Sequence, residues 1–283
     1  VGPLFAAEKV DVWVVPSVEK VRPDARVQTQ NLIWSSADKT IRVAGAANEH
    51  VPFQVVITTE PPPNRYVKPE SDFWVEVTEL TSSQGKRIPR ESIQLFFEHA
   101  ILVYAESSPV GETGFWPDAL APLTDPFSMG AAYRQAVRNR PVWIDIVVPK
   151  ETSAGDYSGK IQVSQKGALI DELEVELKVY GFALPDETHL LTYMGVSSNS
   201  MRGLHEIGSD PEDMKKLVQR YHRFLNERRM EPWFNWMLQP EIAVSGDAVA
   251  LTFDQDLYRL YMEEMRTKRV VLEAVPGQLS AEE

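Results

Sequence analysis

The hydrophobic pattern of this chain changes near residue 184, and the change limits the folds available to it. Up to about residue 180, apolar and polar residues alternate with a period of two, as in Leu173–Tyr180, and breakers such as Pro61–Asn64 separate the runs. This alternation indicates strands with one face on a core and one in water. Turn residues separate many such strands, and no segment among them has the periodicity of a helix. The pattern up to about residue 180 therefore predicts an antiparallel β-sandwich. The other predicted strands are Val10–Val15, Ile41–Ala44, Phe53–Thr58, Phe73–Leu80, Gln94–Tyr104, Val142–Ile146 and Ile161–Val163.

One segment of this region, Ser107–Arg140, lacks the alternation. It is rich in Pro and Gly and carries the aromatic residues Phe115, Trp116, Phe127 and Tyr133. Loops of this length in compact domains are usually functional or disordered, and aromatic residues argue against disorder. We expect the segment to pack across the sandwich or against the next domain, with ligand binding as the alternative.

After Leu184-Pro185-Asp186 the pattern becomes one of strands and helices. His189–Val196 is a short apolar run that predicts a strand buried on both faces. Pro211 follows a capping sequence and starts a predicted helix. Its apolar stripe consists of Met214, Leu217, Val218, Tyr221, Phe224 and Leu225.

Further strands and a second helix are predicted downstream. Pro232–Met237 predicts a strand, and Ile242–Leu251 predicts a small hairpin turning at Ser245-Gly246-Asp247. Asp254 is a suitable cap for a helix, and Arg269–Val275 predicts a third strand.

Strand, helix, strand, helix, strand in this order predicts parallel pairing with right-handed crossovers. A doubly wound sheet and a (β/α)8 barrel both begin in this way. Neither a Gly-x-Gly-x-x-Gly nor a Gly-Lys-Ser/Thr phosphate loop follows the first strand, which removes the usual nucleotide-binding reason for a doubly wound sheet. The pattern therefore favours the barrel.

The length of the chain makes such a barrel incomplete. A complete barrel needs about 250 residues, and fewer than 100 follow Asp186. We therefore expect a β-sandwich domain at residues 1–186, followed at 187–283 by about the first three βα units of a (β/α)8 barrel. Because an open edge of parallel strands promotes aggregation, a second chain or segment would complete the barrel, or the chain is part of a longer protein.

The amino-acid composition limits the classes of ligand and partner that this chain is expected to bind. The formal net charge of −12 disfavours nucleic acid and anionic lipid and suits a neutral ligand such as a sugar. No stretch has the roughly 20 apolar residues of a membrane-spanning helix. The absence of cysteine excludes disulfides and Cys-ligated zinc, and the five histidines form no His-x-His or His-Glu-x-x-His motif, so no metal or cofactor is predicted. Together with Val1–Ala7, which could be the end of a cleaved signal peptide, this favours a secreted or periplasmic bacterial protein.

Five short segments follow one another in a recognisable order: Asn48–Gln54, Trp116–Leu123, Pro141–Asp145, Ala154–Gly159 and Phe182–Pro185. In sequence and order they resemble the N-terminal sandwich of glycoside hydrolase family 123-like proteins and its exit into a barrel. The resemblance covers most of Val10–Leu238. It implies a retaining β-N-acetylgalactosaminidase, or a relative acting on other glycans, in which the substrate acetamide is the nucleophile. It also implies an Asp-Glu pair after the fourth barrel strand, where Asp orients the acetamide and Glu is the general acid.

No residue of this chain matches that pair, so the sequence predicts no catalytic residue within it. Asp171-Glu172 begins a sandwich strand, and Glu263-Glu264 lies in a predicted outer helix, where acids face water. Activity of this polypeptide alone is therefore not expected. A non-catalytic glycan-binding or cell-surface structural protein is the competing interpretation.

Substrate-binding candidates come from the predicted strand ends, because barrel active sites form at the C-terminal ends of the strands. These candidates are Asn199, Asn235, Trp236 and Glu273. Trp stacks on the C–H faces of sugars, and Asn and Glu hydrogen-bond to hydroxyl groups, so this set is suited to a glycan subsite. The alternatives are that Trp236 fills a contact between domains and that Glu273 pairs with an Arg.

Overall fold

The structure is a computed structural model of the 283-residue chain. It describes residues 9–60, 72–106, 108–109, 111–129, 138–187, 189–190, 192, 194–195, 197–208, 211–230, 232–233, 241–245 and 248–264. The chain forms two compact units, Val1–Leu184 and Pro185–Glu283, and their border lies two residues before the predicted one.

The described residues of the first unit form β-strands and one short 3-10 helix at Arg90–Ser92. The strands are β1 Val10–Pro16, β2 Trp34–Ser35, β3 Thr40–Ala47, β4 His50–Thr59, β5 Phe73–Val77, β6 Leu80–Ser82, β7 Arg87–Ile88, β8 Ile93–Val103, β9 Gly114–Pro122, β10 Asn139–Val147, β11 Gly155–Gln165 and β12 Ala168–Ala183.

These strands form two sheets. The first sheet has the order β1-β4-β10-β8-β9, and all its neighbours are antiparallel. The second has the order β2-β3-β12-β11-β6-β7, with β5 also paired to β11. The prediction of a purely antiparallel architecture was wrong at one place, because β3 and β12 pair in parallel. More than a hundred residues separate these two strands, so the long connection that parallel pairing requires is available.

The two sheets share one hydrophobic core. Val55 and Ile57 of the first sheet and Val163 and Val175 of the second are completely buried in the same cluster. Alternate residues of β10 and β12 contribute to it, as the period of two predicts, whereas β1 and β4 also contribute consecutive residues. The arrangement is consistent with a β-sandwich.

The segment Ser107–Arg140 was predicted to be a loop. It also contains strand β9, which lies at the edge of the first sheet. This strand contains Pro117, which has no backbone N–H to donate. Pro is tolerated in an edge strand because the N–H on its outer side has no neighbouring strand to bond. Beyond β9, Phe127 contacts Phe97 of the first sheet at 5.7 Å and Phe73 of the second at 6.0 Å, measured between ring centroids. The prediction that this segment packs across the two sheets is confirmed at Phe127.

The first sheet is also covered on its other face. Gln54 and Thr58 alternate with the core residues of β4, yet both are buried. Residues 17–33 cover them: Gln54 Nε2 donates to the carbonyl of Glu19 at 2.8 Å. A buried network continues from there, in which Trp13 Nε1 donates to Thr58 Oγ1 at 2.8 Å and Thr58 Oγ1 donates to Asn139 Oδ1 at 2.6 Å.

The second unit combines short strands with helices. Its strands β13 and β14 pair in parallel, whereas β15 and β16 form the predicted hairpin. The elements are β13 Met194–Gly195, α1 Ser198–Leu204, α2 Pro211–Glu227, β14 Pro232–Trp233, β15 Glu241–Ser245, β16 Ala248–Thr252, α3 Gln255–Arg259 and a π-helical turn at Leu260–Glu264.

Helices α2 and α3 begin where the sequence predicted. Helix α2 starts at Pro211. Asp254 caps α3, where its carboxylate accepts from the backbone N–H of Leu257 at 2.9 Å. Tyr261 packs in one apolar cluster with Val218 of α2.

Two predictions for the second unit need correction, and the incomplete barrel stays a prediction. Leu190 and Met194 are exposed, at 76% and 43%, so the described part of His189–Val196 is not a buried strand. Phe224 lies at the edge of the apolar stripe of α2 and is half exposed, with the guanidinium of Arg228 over its ring. The parallel pair β13–β14 is common to doubly wound sheets and barrels, so an incomplete barrel is not established by the described strands. Arg269–Val275 lies outside the described residues.

The buried network around Thr58 gives a stability prediction. Replacing Thr58 with Val removes its hydroxyl group. The indole N–H of Trp13 and the side-chain amide oxygen of Asn139 then lose this partner in a buried site. The free energy of unfolding should fall by about 1–3 kcal/mol, measured by urea denaturation. The matched control is Thr59→Val, because Thr59 is equally buried and its hydroxyl is outside this network. Equal losses in the two variants would show that the network contributes nothing beyond packing.

Candidate functional site

Of the four predicted substrate-binding residues, Asn199 is the one that the structure describes. It lies in the first turn of α1, four residues after β13, and its side chain is exposed. Ser197 caps this helix and positions the turn, because its hydroxyl accepts from the backbone N–H of Ser200 at 3.5 Å. Asn235, Trp236 and Glu273 lie outside the described residues, so their grouping with Asn199 stays a prediction.

The backbone places Asn199 beside the end of a parallel strand pair. Gly195 pairs with Trp233, so β13 and β14 end side by side. Ligands of open and closed parallel sheets bind at this carboxyl end. Asn199 can therefore present its amide to a polar ligand at this edge.

His205 and Glu206 follow α1, and two interpretations of them are open: a ligand contact or a surface loop pair. His205 Nε2 and the Tyr221 hydroxyl are 2.7 Å apart, and the two rings meet edge to face. Glu206 adopts a positive φ of 50° at the end of the helix. The contact of His205 ties α1 to α2, which favours the structural interpretation of this histidine.

The acidic pair Asp171-Glu172 is held in ion pairs on the second sheet. Asp171 pairs with Lys39, and Glu172 accepts from Gln162 at 2.9 Å and from Lys160 at 2.5 Å. The hydrogen bond from Gln162, followed by that from Lys160, lowers the pKa of Glu172. A general acid must instead hold its proton near the working pH. This pair is therefore unsuited to that role, and the side chains of Glu263 and Glu264 lie outside the described residues.

Glu98 has a raised pKa, in contrast to the lowered pKa of Glu172, and it was not among the residues predicted from the sequence. It lies on β8, is only 3% exposed, and its Oε2 has no hydrogen-bond partner in the described part of the chain. Burial raises the pKa of Glu98 to about 7, against the opposing charge of Lys20. In the alternating pattern of β8, Glu98 looks like a solvent-facing acid, and the covering segment 17–33 carries no signal that predicts its burial.

Glu98 can hold a proton near neutral pH, but a proton donor alone is not a glycosidase site. Hydrolysis of a glycosidic bond needs a second group, either a carboxylate or an acceptor that orients a substrate acetamide. Asp145 is also buried, but its carboxylate pairs with Nδ1 of His50 at 2.8 Å. Glu98 is therefore better explained as part of the covered outer face of the first sheet than as a catalytic acid.

In the part of the chain that the structure describes, no three His, Asp or Glu side chains come together as a metal site. None of the described helices combines the length and the hydrophobicity needed to cross a bilayer.

Comparison with known proteins identifies the first unit. The model of the glycoside hydrolase 123 N-terminal domain matches residues 24–165, which is half of the chain. The chain belongs to glycoside hydrolase family 123. The matched residues run from the segment that covers the first sheet to the end of β11. Comparison with curated proteins finds no match.

One solved structure agrees with this family at the level of the fold. A family 123 glycoside hydrolase from Clostridium perfringens, studied for glycolipid glycan hydrolysis, aligns with a TM-score of 0.61 and 12% identity. The alignment covers 78% of this chain, but this family 123 chain spans only 37% of that protein. The N-terminal domain of PorA, at 9% identity, aligns over 61% of this chain and 100% of its own with a TM-score of 0.25, too low to support an argument.

The buried carboxyl of this family 123 chain gives a prediction about pH. Because the folded pKa of Glu98 lies above its ordinary value of 4.5, the folded state keeps the proton that the unfolded state releases. Its contribution to stability is therefore complete below about pH 4.5 and is lost as the pH rises to about 7. With Glu98→Gln this loss should disappear, so the wild-type free energy of unfolding should fall by about 2–3 kcal/mol more than that of the variant between pH 5 and 8.

The measurement is urea denaturation at the two pH values. The control is Glu76→Gln, because Glu76 is exposed on β5 and its loss should leave the wild-type pH dependence unchanged. If Glu98→Gln shows the same fall as the wild type, the carboxyl is ionised or solvated in the folded protein.

Proposed function

We propose that this chain is the N-terminal portion of a glycoside hydrolase with retaining, substrate-assisted β-N-acetylhexosaminidase-like activity. The observation that carries the proposal is membership of family 123 through residues 24–165. The substrate is then a glycan, and the two-sheet unit is an ancillary domain of the enzyme. The secreted or periplasmic location of a bacterial protein is part of the proposal, and a sequence without cysteine is compatible with it.

In this proposal the second unit is the start of a (β/α)8 barrel. The parallel pair β13–β14, with α1 and α2 between its strands, supports this interpretation. Asn199, Asn235, Trp236 and Glu273 would line the glycan subsite at the strand ends. Their proposed role is to hydrogen-bond to sugar hydroxyls and, for Trp236, to stack on a sugar face.

The proposed chemistry needs two groups from the protein. The substrate acetamide oxygen attacks the anomeric carbon while one acid protonates the leaving oxygen and a second acceptor orients the acetamide. Asp171 and Glu172 are engaged with Lys39 and Lys160 and do not suit these roles. We propose that the catalytic Asp-Glu pair lies outside these 283 residues, in a further segment or a second chain that completes the barrel.

A non-catalytic glycan-binding or cell-surface structural protein is the second candidate. What favours it is that both members of the described acidic pair Asp171-Glu172 are neutralised by lysines. The two candidates differ in one respect that can be measured, because only the first requires turnover of a glycoside.

The test is hydrolysis of an aryl β-N-acetylgalactosaminide by the 283-residue chain and by a polypeptide extended at its carboxyl end. We expect turnover by the extended polypeptide and none by the 283-residue chain. Turnover by the shorter chain would contradict the proposed position of the catalytic pair. No turnover by either would favour the binding or structural candidate.

Within the extended polypeptide, Asn199→Ala tests the subsite. Loss of a hydrogen bond made to the substrate should lower kcat/KM by about tenfold. The control is Ser200→Ala, because Ser200 is the exposed neighbour of Asn199 in the same helix. Equal kcat/KM values for the Asn199→Ala variant and the wild type would remove Asn199 from the subsite.

A further inference from the structure

A groove of about 720 Å³ lies on the outer face of the second sheet. Its floor is a row of paired residues: Arg42 of β3 faces Glu176 of β12, which faces Ser158 of β11, which faces Thr81 of β6. In the next row, Asp156 of β11 faces Lys178 of β12. The volume is within the range of small-ligand sites, about 300–1,000 Å³.

The side chains of the groove are those that bind hydroxyl-rich ligands. Ser158 and Thr81 offer hydroxyl groups, and Lys178 and Asp156 offer a donor and an acceptor. Arg42 is fixed in place because its Nη2 pairs with Asp38 at 2.7 Å and its Nε with Glu176 at 3.1 Å. The groove therefore mixes both signs of charge.

The balance of charges in the groove distinguishes between an anionic and a neutral ligand. A polyanion requires an excess of cations at its site. Here Arg42 and Lys178 are outnumbered by Glu174, Glu176 and Asp156, so the groove suits an uncharged ligand with many hydroxyl groups.

An exposed aromatic pair continues the same strand. Tyr180 follows Lys178 by two residues on β12 and is 43% exposed, and Phe182 is 58% exposed. Their rings are parallel within 4°, with centroids 6.0 Å apart, so the two side chains lie on one side of the strand. In contrast, Trp13 and Trp34 are buried. Aromatic faces presented to water offer the apolar surface on which sugar C–H faces pack.

We propose that this groove, extended by the Tyr180–Phe182 pair, is a non-catalytic binding site for a neutral oligosaccharide. The sugar C–H faces pack on the two rings, and the hydroxyl groups bond to Lys178, Asp156 and Ser158. The site is independent of the hydrolytic activity proposed above, because it uses residues of the first unit and requires no bond cleavage.

The test is isothermal titration calorimetry of the 283-residue chain with neutral oligosaccharides of galactose and N-acetylgalactosamine. Hyaluronan oligosaccharides of matched length are the acidic comparison. We expect saturable binding of a neutral oligosaccharide, at least tenfold tighter than the acidic one. Tyr180→Ala and Phe182→Ala should each weaken this binding by about tenfold or more.

The matched control is Leu169→Ala, because Leu169 is an exposed apolar residue, at 59%, near the other end of β12. It should bind like the wild type. Lys178→Gln provides a second variant that keeps the aromatic pair, and it should weaken binding by losing a charged donor. Thermal unfolding of each variant checks that the fold is retained.

Three outcomes would overturn the proposal: no saturable binding of any neutral oligosaccharide, tighter binding of the acidic series, or equal affinity in Tyr180→Ala and Leu169→Ala. Because the readout is heat of binding and not turnover, failure of the hydrolytic proposal leaves this test unaffected. Likewise, loss of binding here would leave the hydrolytic proposal standing.

Discussion

Burial of β4 on both faces is the constraint on which the first unit depends. One face of this strand contributes Phe53, Val55 and Ile57 to the core between the sheets. The other face carries Gln54 and Thr58, which are buried, so the amide N–H groups of Gln54 and the hydroxyl of Thr58 need partners within the protein. Residues 17–33 and β10 supply these partners, so the covering segment is fixed by hydrogen bonds as well as by apolar contact. The family model begins at residue 24, within this segment, as expected if it is an integral part of the fold.

The same feature explains what the sequence could and could not predict. Strands of the first unit were predictable because one face of each alternates into a common core, as Leu173–Val179 does in β12. Strand β9 was not, because Pro117 and Pro122 interrupt the alternation, and Pro within a strand is tolerated mainly at an edge such as this one. The parallel pairing of β3 with β12 was also hidden, since the period of two is identical in parallel and antiparallel neighbours.

In the candidate sites, features set by neighbouring residues were predictable, whereas features set by distant segments were not. The cap at Asp254 and the start of α2 at Pro211 are local and were predictable. The burial of Glu98 depends on a segment that lies more than 60 residues away, and the charge of Lys20 in that segment opposes the rise in its pKa. Asn199 could be placed after a strand from sequence, but a glycan subsite depends on several strand ends meeting, which a single strand pair does not determine.

A fold shared with family 123 does not by itself supply its chemistry, because function resides in a site and not in an architecture. In the first unit the carboxyls differ in what they can do. Glu172 is stabilised as an anion by Gln162 and Lys160 and cannot donate a proton near neutral pH, whereas Glu98 can hold one but is covered. What the unit does present to water is the outer face of the second sheet, where fixed charges, hydroxyl groups and two parallel rings lie along β12. In our proposals this surface contacts a sugar chain without cleaving it, and the carboxyls that hydrolyse the glycan lie elsewhere.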